Sequence, residues 1–315
     1  MSTSNPLQHF IDTLSGQSQL SDLPELADFD YRGYRELLQR WAALPNARTS
    51  IIGSSRDGEP LWMVEIGNPD ATKVTVVLAG IHPIEWIGTE TALQIAKEHA
   101  LDPCPDRRVC FFPLANPDGF LKVEKSLRAG KRKWVRTNSA GVDLNRNWPT
   151  HFKATKSDLQ GRRSSGKAPL SEPEIAAIVG KLDEIAASAS IDFALSLHSI
   201  GKMILLPWGG ISRRPDSYRR HYSAANVIRR RLSGYTIRQV SKWIPGISYA
   251  HGMDIDHLHA AYGATSLLIE CTLGQLSLRK PSVLLSPFRI FNPSNGRQEG
   301  ARIARALDPF VRGWL

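Results

Sequence analysis

The chain has 315 residues, enough for one large domain or two small ones with a sizeable core. Hydrophobic residues make up 42% and charged residues 22%, which excludes wholesale disorder. No run reaches the roughly 18 uninterrupted apolar residues that a bilayer-spanning helix requires, which excludes an integral membrane protein of the helical kind.

Residues 1–30 are polar and aperiodic and read as an N-terminal arm or short covering segment ahead of a single domain over 31–315. From Tyr31 to Leu44, Tyr34, Leu37, Leu38, Trp41 and Leu44 recur at helical spacing and predict an amphipathic helix ending before Pro45. Leu61–Ile66 and Lys73–Leu78 predict strands, Thr89–Ala100 a helix, and Arg108–Pro113 a strand. Pro173–Ala187 predicts a helix whose start is marked by a Ser171/Glu174 capping box. Asp192–Leu197 and Met203–Leu206 read as strands, Asp216–Leu232 as a basic helix, Ala264–Ile269 as a strand, and Gln298–Trp314 as a closing helix. Strands alternating with helices imply one α/β domain, a three-layer α/β/α sandwich around a mixed, largely parallel sheet.

Forty Lys and Arg against thirty Asp and Glu leave a formal charge of +10. The excess is clustered at 122–136, 213–220 and 229–231. It fits an anionic partner or simply solvated faces; without an RNP, zinc-finger or helix-turn-helix pattern, nucleic acid is not the expected partner. The three cysteines, Cys104, Cys110 and Cys271, show no CxxC spacing, which argues against both a disulfide framework and a thiolate metal site. The N-terminus lacks a signal peptide's basic start and apolar run, so a cytoplasmic location is expected.

In open α/β sheets, ligands bind beyond the carboxyl ends of strands. There the sequence places His82 and Glu85 after one strand, His198 at the end of another, and Glu270 at the end of a third. Two imidazoles and a carboxylate are the donor set of a catalytic zinc site, and a second carboxylate beside it can act as general base. An HxxE pair alone is a weak signal among nine histidines. His251, His257 and His259 also crowd together, but in a segment read as irregular and with no ligand-like spacing.

The chain as a whole resembles the zinc carboxypeptidase family, which includes pancreatic carboxypeptidases A and B. The resemblance runs from about Tyr31 onward on six motifs in the family's order: GIHPIEW (80–86), NPDGF (116–120), GVDLNRNW (141–148), SEPE (171–174), SLHS (196–199) and LLIE (267–270). It implies that His82, Glu85 and His198 hold one zinc ion and that Glu270 activates a zinc-bound water. Asn145 and Arg146 would clamp the substrate's free carboxylate, Asp143 would orient a ligand histidine, and Tyr249 would close over the substrate. Arg136, or else Arg132, would stabilise the oxyanion. Ile255 would line the side-chain pocket and favour an apolar residue, whereas Asp254 would favour a basic one or else face solvent in a turn. Ile84 and Ile200 stand where many relatives carry arginine and tyrosine, which alters the outer subsites. Only about thirty residues precede the first helix, so no pro-domain of the digestive kind is expected.

The resemblance implies hydrolysis of the C-terminal amide bond of a peptide. A γ-D-glutamyl-diaminopimelate amidase of cell-wall peptides, or a zinc amide hydrolase acting on an N-acylated amino acid, would use the same mechanism. A scaffold that has lost activity would have no need to retain Glu270.

Overall fold

The computed structural model describes residues 5–15, 32–155, 164–243, 249–274 and 286–314. The first helix, α1 (Pro6–Ser15), covers the core with Leu7 and Ile11. Next come α2 (Tyr34–Ala42), β1 (Ala47–Ser54), β2 (Pro60–Gly67), β3 (Lys73–Ala79), α3 (Trp86–Leu101), β4 (Arg107–Phe112) and α4 (Pro117–Arg128). The chain continues through α5 (Pro173–Ala186), β5 (Ser190–His198), β6 (Met203–Leu206), α6 (Tyr218–Arg231), β7 (Thr236–Gln239), α7 (Asp254–Tyr262) and β8 (Thr265–Glu270). It ends with α8 (Pro287–Phe291) and α9 (Gly296–Val311). Among the described residues no helix is long and apolar enough to cross a membrane.

Among the described residues eight strands form one mixed sheet in the order β1-β2-β4-β3-β5-β8-β6-β7. Its centre, β4-β3-β5-β8, is parallel, while β1-β2, β2-β4 and β6-β8 are antiparallel. Strand β3 shows why the run Val74–Ala79 is apolar but for Thr75, whose buried hydroxyl donates to Val311 O. Val77 and Ala79 face one core with α3 and α9, and Val74, Val76 and Leu78 face another with α5. A strand covered on both faces by helices loses the polar alternation of an edge strand. Each fully buried Val or Leu contributes roughly 1.5–3 kcal/mol over exposure, which helps offset the cost of buried charge at the strand ends.

Several local expectations are corrected. The Ser171/Glu174 capping box does not form: Glu172 occupies the N-cap of α5, and the Ser171 hydroxyl donates to Glu172. Helix α4 was not expected, although Pro117 in its first turn and the Asn116 side chain accepting from Gly119 N–H are ordinary start signals. The segment 254–262 is helix α7 rather than irregular chain.

Register sets the site. Ala79 on β3 pairs with Leu197 on β5, and His198 pairs with Glu270 on β8. Three adjacent parallel strands therefore end at one level, and the residues leaving them share one edge.

Candidate metal centre and cleft

The loop after β3 carries His82, and Glu85 stands at the N-cap of α3. Two buried asparagines hold this loop. Asn116 donates to Ile81 O, while Asn292 donates to Ile84 O and accepts from Ile87 N–H. Gly88 lets the first turn of α3 lie against β5, since a Cβ there would stand 2.4 Å from the Leu197 carbonyl oxygen. That approach carries Glu85 to the end of β5.

The three side chains meet. His198 Nδ1 lies 3.0 Å from His82 Nδ1 and 2.9 Å from Glu85 Oε2, and His82 Nδ1 lies 3.0 Å from Glu85 Oε1. These residues are buried and form the one such metal-ligating group among the described residues, its ligand atoms all within 4.8 Å of one another. The far side of each ring faces a supporting acceptor. His82 Nε2 is 3.1 Å from Asp143 Oδ1, and His198 Nε2 is 2.9 Å from Ser196 Oγ and 3.7 Å from Asp254 Oδ2. An acceptor at Nε2 fixes the proton there and leaves Nδ1 as a lone pair. Two lone pairs and a carboxylate converging on one point repel unless a cation lies between them, so the donor set fits zinc in type and number.

Electrostatics agree. Burial opposes ionisation of Glu85, yet His82 and His198 outweigh it and hold the carboxyl well below its ordinary range. Asp143 is likewise held low against its burial by Arg136 and His82. Burial also opposes positive charge at His198, but Asp254 and Glu85 favour it, whether that charge is a proton or an ion held at Nδ1. The cluster is built to hold positive charge.

Glu270 is half-buried, and its enclosed Oε2 has no hydrogen-bond partner among the described residues. Enclosure and the Glu85 carboxylate raise its pKa to about 8. Arg136 donates through Nε to Asp143 Oδ2 at 2.8 Å, with Nη1 at 3.6 Å from Glu85 Oε1. Arg132 is exposed and does not line the cleft, so Arg136 is the arginine at the centre.

A cleft of about 420 Å³ opens over these groups, lined by His82, Glu85, Arg136, His198 and Glu270 at its floor. Asn145, Arg146 and Tyr249 also line it. Asn145 Oδ1 accepts from Asp254 N–H, and its NH₂ group lies 3.4 Å from His198 Nε2 at the edge of the cleft. Arg146 is fixed through Nη1 to its neighbour's carbonyl, Asn145 O, at 2.6 Å. Tyr249 sits at the mouth, 44% exposed, with its ring parallel to His251.

Two expected pocket residues lie elsewhere. Ile255 is fully buried in a small cluster behind the cleft wall, and Asp254 is fully buried at the start of α7. Neither lines the cleft. Helix geometry turns the first two residues of α7 inward, so Asp254 is neither a pocket residue nor a solvent-facing turn carboxylate. Instead Leu205, Val240, Ala250, Met253 and Leu268 make an apolar wall, with half-exposed Trp243 beside it. On another stretch of wall, Trp134 packs edge-on against Phe291, with Ile200 nearby; Ile84 is in the core. His257 and His259 do not gather into a second site. His257 turns to Thr150, and His259 turns to Ser217 and Ala264 O.

Sequence reasoning missed Ser196, Met253, Asn292 and this wall. Ser196 had a legible signal, since residues i and i+2 of a strand share a face and so place it beside His198. Asn292 had none, because its partners are more than 200 positions away.

The sequence pattern of the family described as zinc carboxypeptidase matches residues 34–266. Carboxypeptidase A2 of Mus musculus is 28% identical over 204 residues, which cover 59% of this chain and 47% of that protein. Carboxypeptidase A1 of Rattus norvegicus is 27% identical over 234 residues, covering 68% and 52%. The chain thus spans about half the length of these relatives. Among solved structures, the carboxypeptidase A from Helicoverpa armigera is similar with TM-score 0.66 at 20% identity, covering 96% of this chain and 79% of that one. Thrombin activatable fibrinolysis inhibitor is similar with TM-score 0.67 at 19% identity, covering 98% and 80%. These structural likenesses speak for the fold. With the pattern matched across the greater part of its length, the chain belongs to the zinc carboxypeptidase family.

Proposed function

We propose that the protein is a zinc-dependent metallocarboxypeptidase that hydrolyses the C-terminal amide bond of peptides. The observation that carries this reading is the meeting of His82, Glu85 and His198 at one point, with the unpartnered carboxylate of Glu270 on the same cleft floor.

Zinc held by His82, Glu85 and His198 would supply a Lewis acid that lowers the pKa of water and polarises a carbonyl. Glu270 takes the proton of the attacking water on a carboxylate oxygen and passes it to the leaving amine. Its raised pKa suits both directions of transfer. Arg136, anchored on Asp143, presents its remaining N–H donors to the negative charge that develops on the carbonyl oxygen. Arg146 and the Asn145 NH₂ bind the terminal carboxylate, which makes the enzyme an exopeptidase; a guanidinium fork grips a carboxylate through two parallel charge-assisted bonds. Tyr249, at the mouth, covers the bound residue.

The apolar wall formed by Leu205, Val240, Ala250, Met253 and Leu268 supports a preference for apolar C-terminal side chains. It disfavours diaminopimelate, whose side chain carries both an amine and a carboxylate and would find no charged partner on this wall. Mass spectrometry of the products from a mixed peptide library tests both points. Release of single C-terminal Leu, Met or Phe residues is expected. Internal cleavage, or turnover of a muropeptide tripeptide alone, would overturn the reading.

A further inference from the structure

Asp254 is a carboxylate with no access to solvent, placed in the protein interior away from the cleft. Burying a carboxylate is costly unless it is paired and hydrogen-bonded, so its partners indicate what it is for. The Ser196 hydroxyl donates to Asp254 Oδ2, and the same hydroxyl oxygen stands 2.9 Å from His198 Nε2. Asp254 Oδ2 itself lies 3.7 Å from that nitrogen, too far for a direct hydrogen bond and close enough for charge attraction. The Asn145 NH₂ also faces Nε2, at 3.4 Å, but the Ser196 oxygen at 2.9 Å is the nearer partner. A continuous chain therefore runs from the ring through Nε2–H to Ser196 Oγ–H and on to Asp254 Oδ2. The other oxygen, Oδ1, accepts from Ile255 N–H at 2.7 Å, and Asp254 N–H is held by Asn145 Oδ1 at 2.9 Å. The carboxylate is thus fixed from both sides. Across the site, Asp143 supports His82 directly.

We propose that Asp254, acting through Ser196, is a positioning residue for the metal centre: it holds the proton of His198 on Nε2, keeps Nδ1 free for the ion, and strengthens the hold on that ion. The centre is then supported by two buried carboxylates, one behind each histidine, with a hydroxyl inserted on the His198 side. Such outer partners orient a ligand ring and raise its basicity, and their loss typically costs 10–100-fold in metal affinity. A purely structural Asp254, serving only the start of α7, would affect folding and leave the ion's affinity unchanged.

The inference rests on the proposed zinc function, and its test reads metal retention instead of peptide turnover. Zinc release from the loaded enzyme to a chelating dye is followed for wild type, Asp254→Asn, Ser196→Ala and Asp143→Asn. Asp254→Asn keeps the side chain's shape and removes its charge. It is expected to weaken zinc binding roughly 10–100-fold, a loss similar to that of Asp143→Asn. Ser196→Ala breaks the chain but keeps Asp254 and its hydrogen bond from Ile255 N–H, so it serves if Asp254→Asn does not fold; a loss of at least several-fold is expected. Folded Asp254→Asn that holds zinc within about threefold of wild type overturns the role of Asp254, and so does an unaltered Ser196→Ala where Asp254→Asn does not fold. Wild-type protein that takes up no divalent ion overturns the proposed function, and this inference with it.

Discussion

The Nδ1 atoms of His82 and His198 face each other at 3.0 Å, while the Nε2 atom of each ring is turned to its own supporting acceptor. With both protons directed outward, the facing nitrogens have nothing to share but a cation. Replacing His82 with Ala leaves two of the three ligands, so His82→Ala is expected to retain far less than one zinc per chain. Elemental analysis after dialysis checks this, and a variant still holding one equivalent would contradict the centre described here.

Glu270 is not a ligand in this arrangement. Glu270→Gln is therefore expected to keep its zinc and to lose turnover by roughly 10²–10⁴-fold, the usual contribution of a positioned acid or base. Its ionisation also sets a pH limb. The base works when deprotonated, so activity should rise with pH as Glu270 loses its proton. Its pKa of about 8 reflects enclosure and the neighbouring Glu85 charge. A divalent ion beside Glu85 offsets that charge, which places the limb below pH 8. A profile of kcat/KM against pH checks the value, and Glu270→Gln should lack the limb.

Under the proposed function Arg146 addresses the carboxylate end of the substrate. Hydrogen bonds to charged groups contribute about 1.5–3 kcal/mol each, so Arg146→Ala should raise KM or lower kcat/KM by roughly 10–100-fold for peptides with a free terminus. Peptides with an amidated C-terminus should be poor substrates for both proteins and show little difference between them. An equal loss on both kinds of peptide would assign Arg146 to the scaffold.

Away from the site, His221 gives the fold a dependence on pH. Its ring is fully buried, with Nδ1 bonded to Ser217 O at 3.1 Å and Nε2 accepting from Ser266 N–H at 3.2 Å. Accepting at Nε2 requires the neutral ring, and burial lowers the folded pKa to about 4 from 6.5. Above 6.5 the ring is neutral folded and unfolded, and its contribution is constant. Between about 6.5 and 4 only the unfolded chain takes the proton, so stability falls with falling pH, by up to about 3 kcal/mol. Urea unfolding across that range should show a shallower acid slope in His221→Gln than in wild type.

The candidate ligands and base stood out by residue type and position, and the family resemblance gave them their roles. His82, Glu85, His198 and Glu270 follow apolar runs, and in a parallel sheet such runs end at one edge. The central strands were plain as well, because burial on both faces leaves a largely apolar run. Weak elements were not. Strands β1 and β7 are short or partly exposed edge strands, in which pairing with a neighbour outweighs any local pattern.

By itself the sequence determined which side chains are the candidates for the chemistry and, through strand periodicity, the edge where they collect. Tertiary structure alone decided what stands behind and around them. Asp254 lies buried behind the His198 ring instead of on a pocket wall because it is the first residue of α7, and helix geometry, not residue type, sets the direction of its side chain. Met253 and Leu268 became neighbours for a similar reason. They lie on different elements, and only the packing of those elements brings them onto one stretch of the cleft wall.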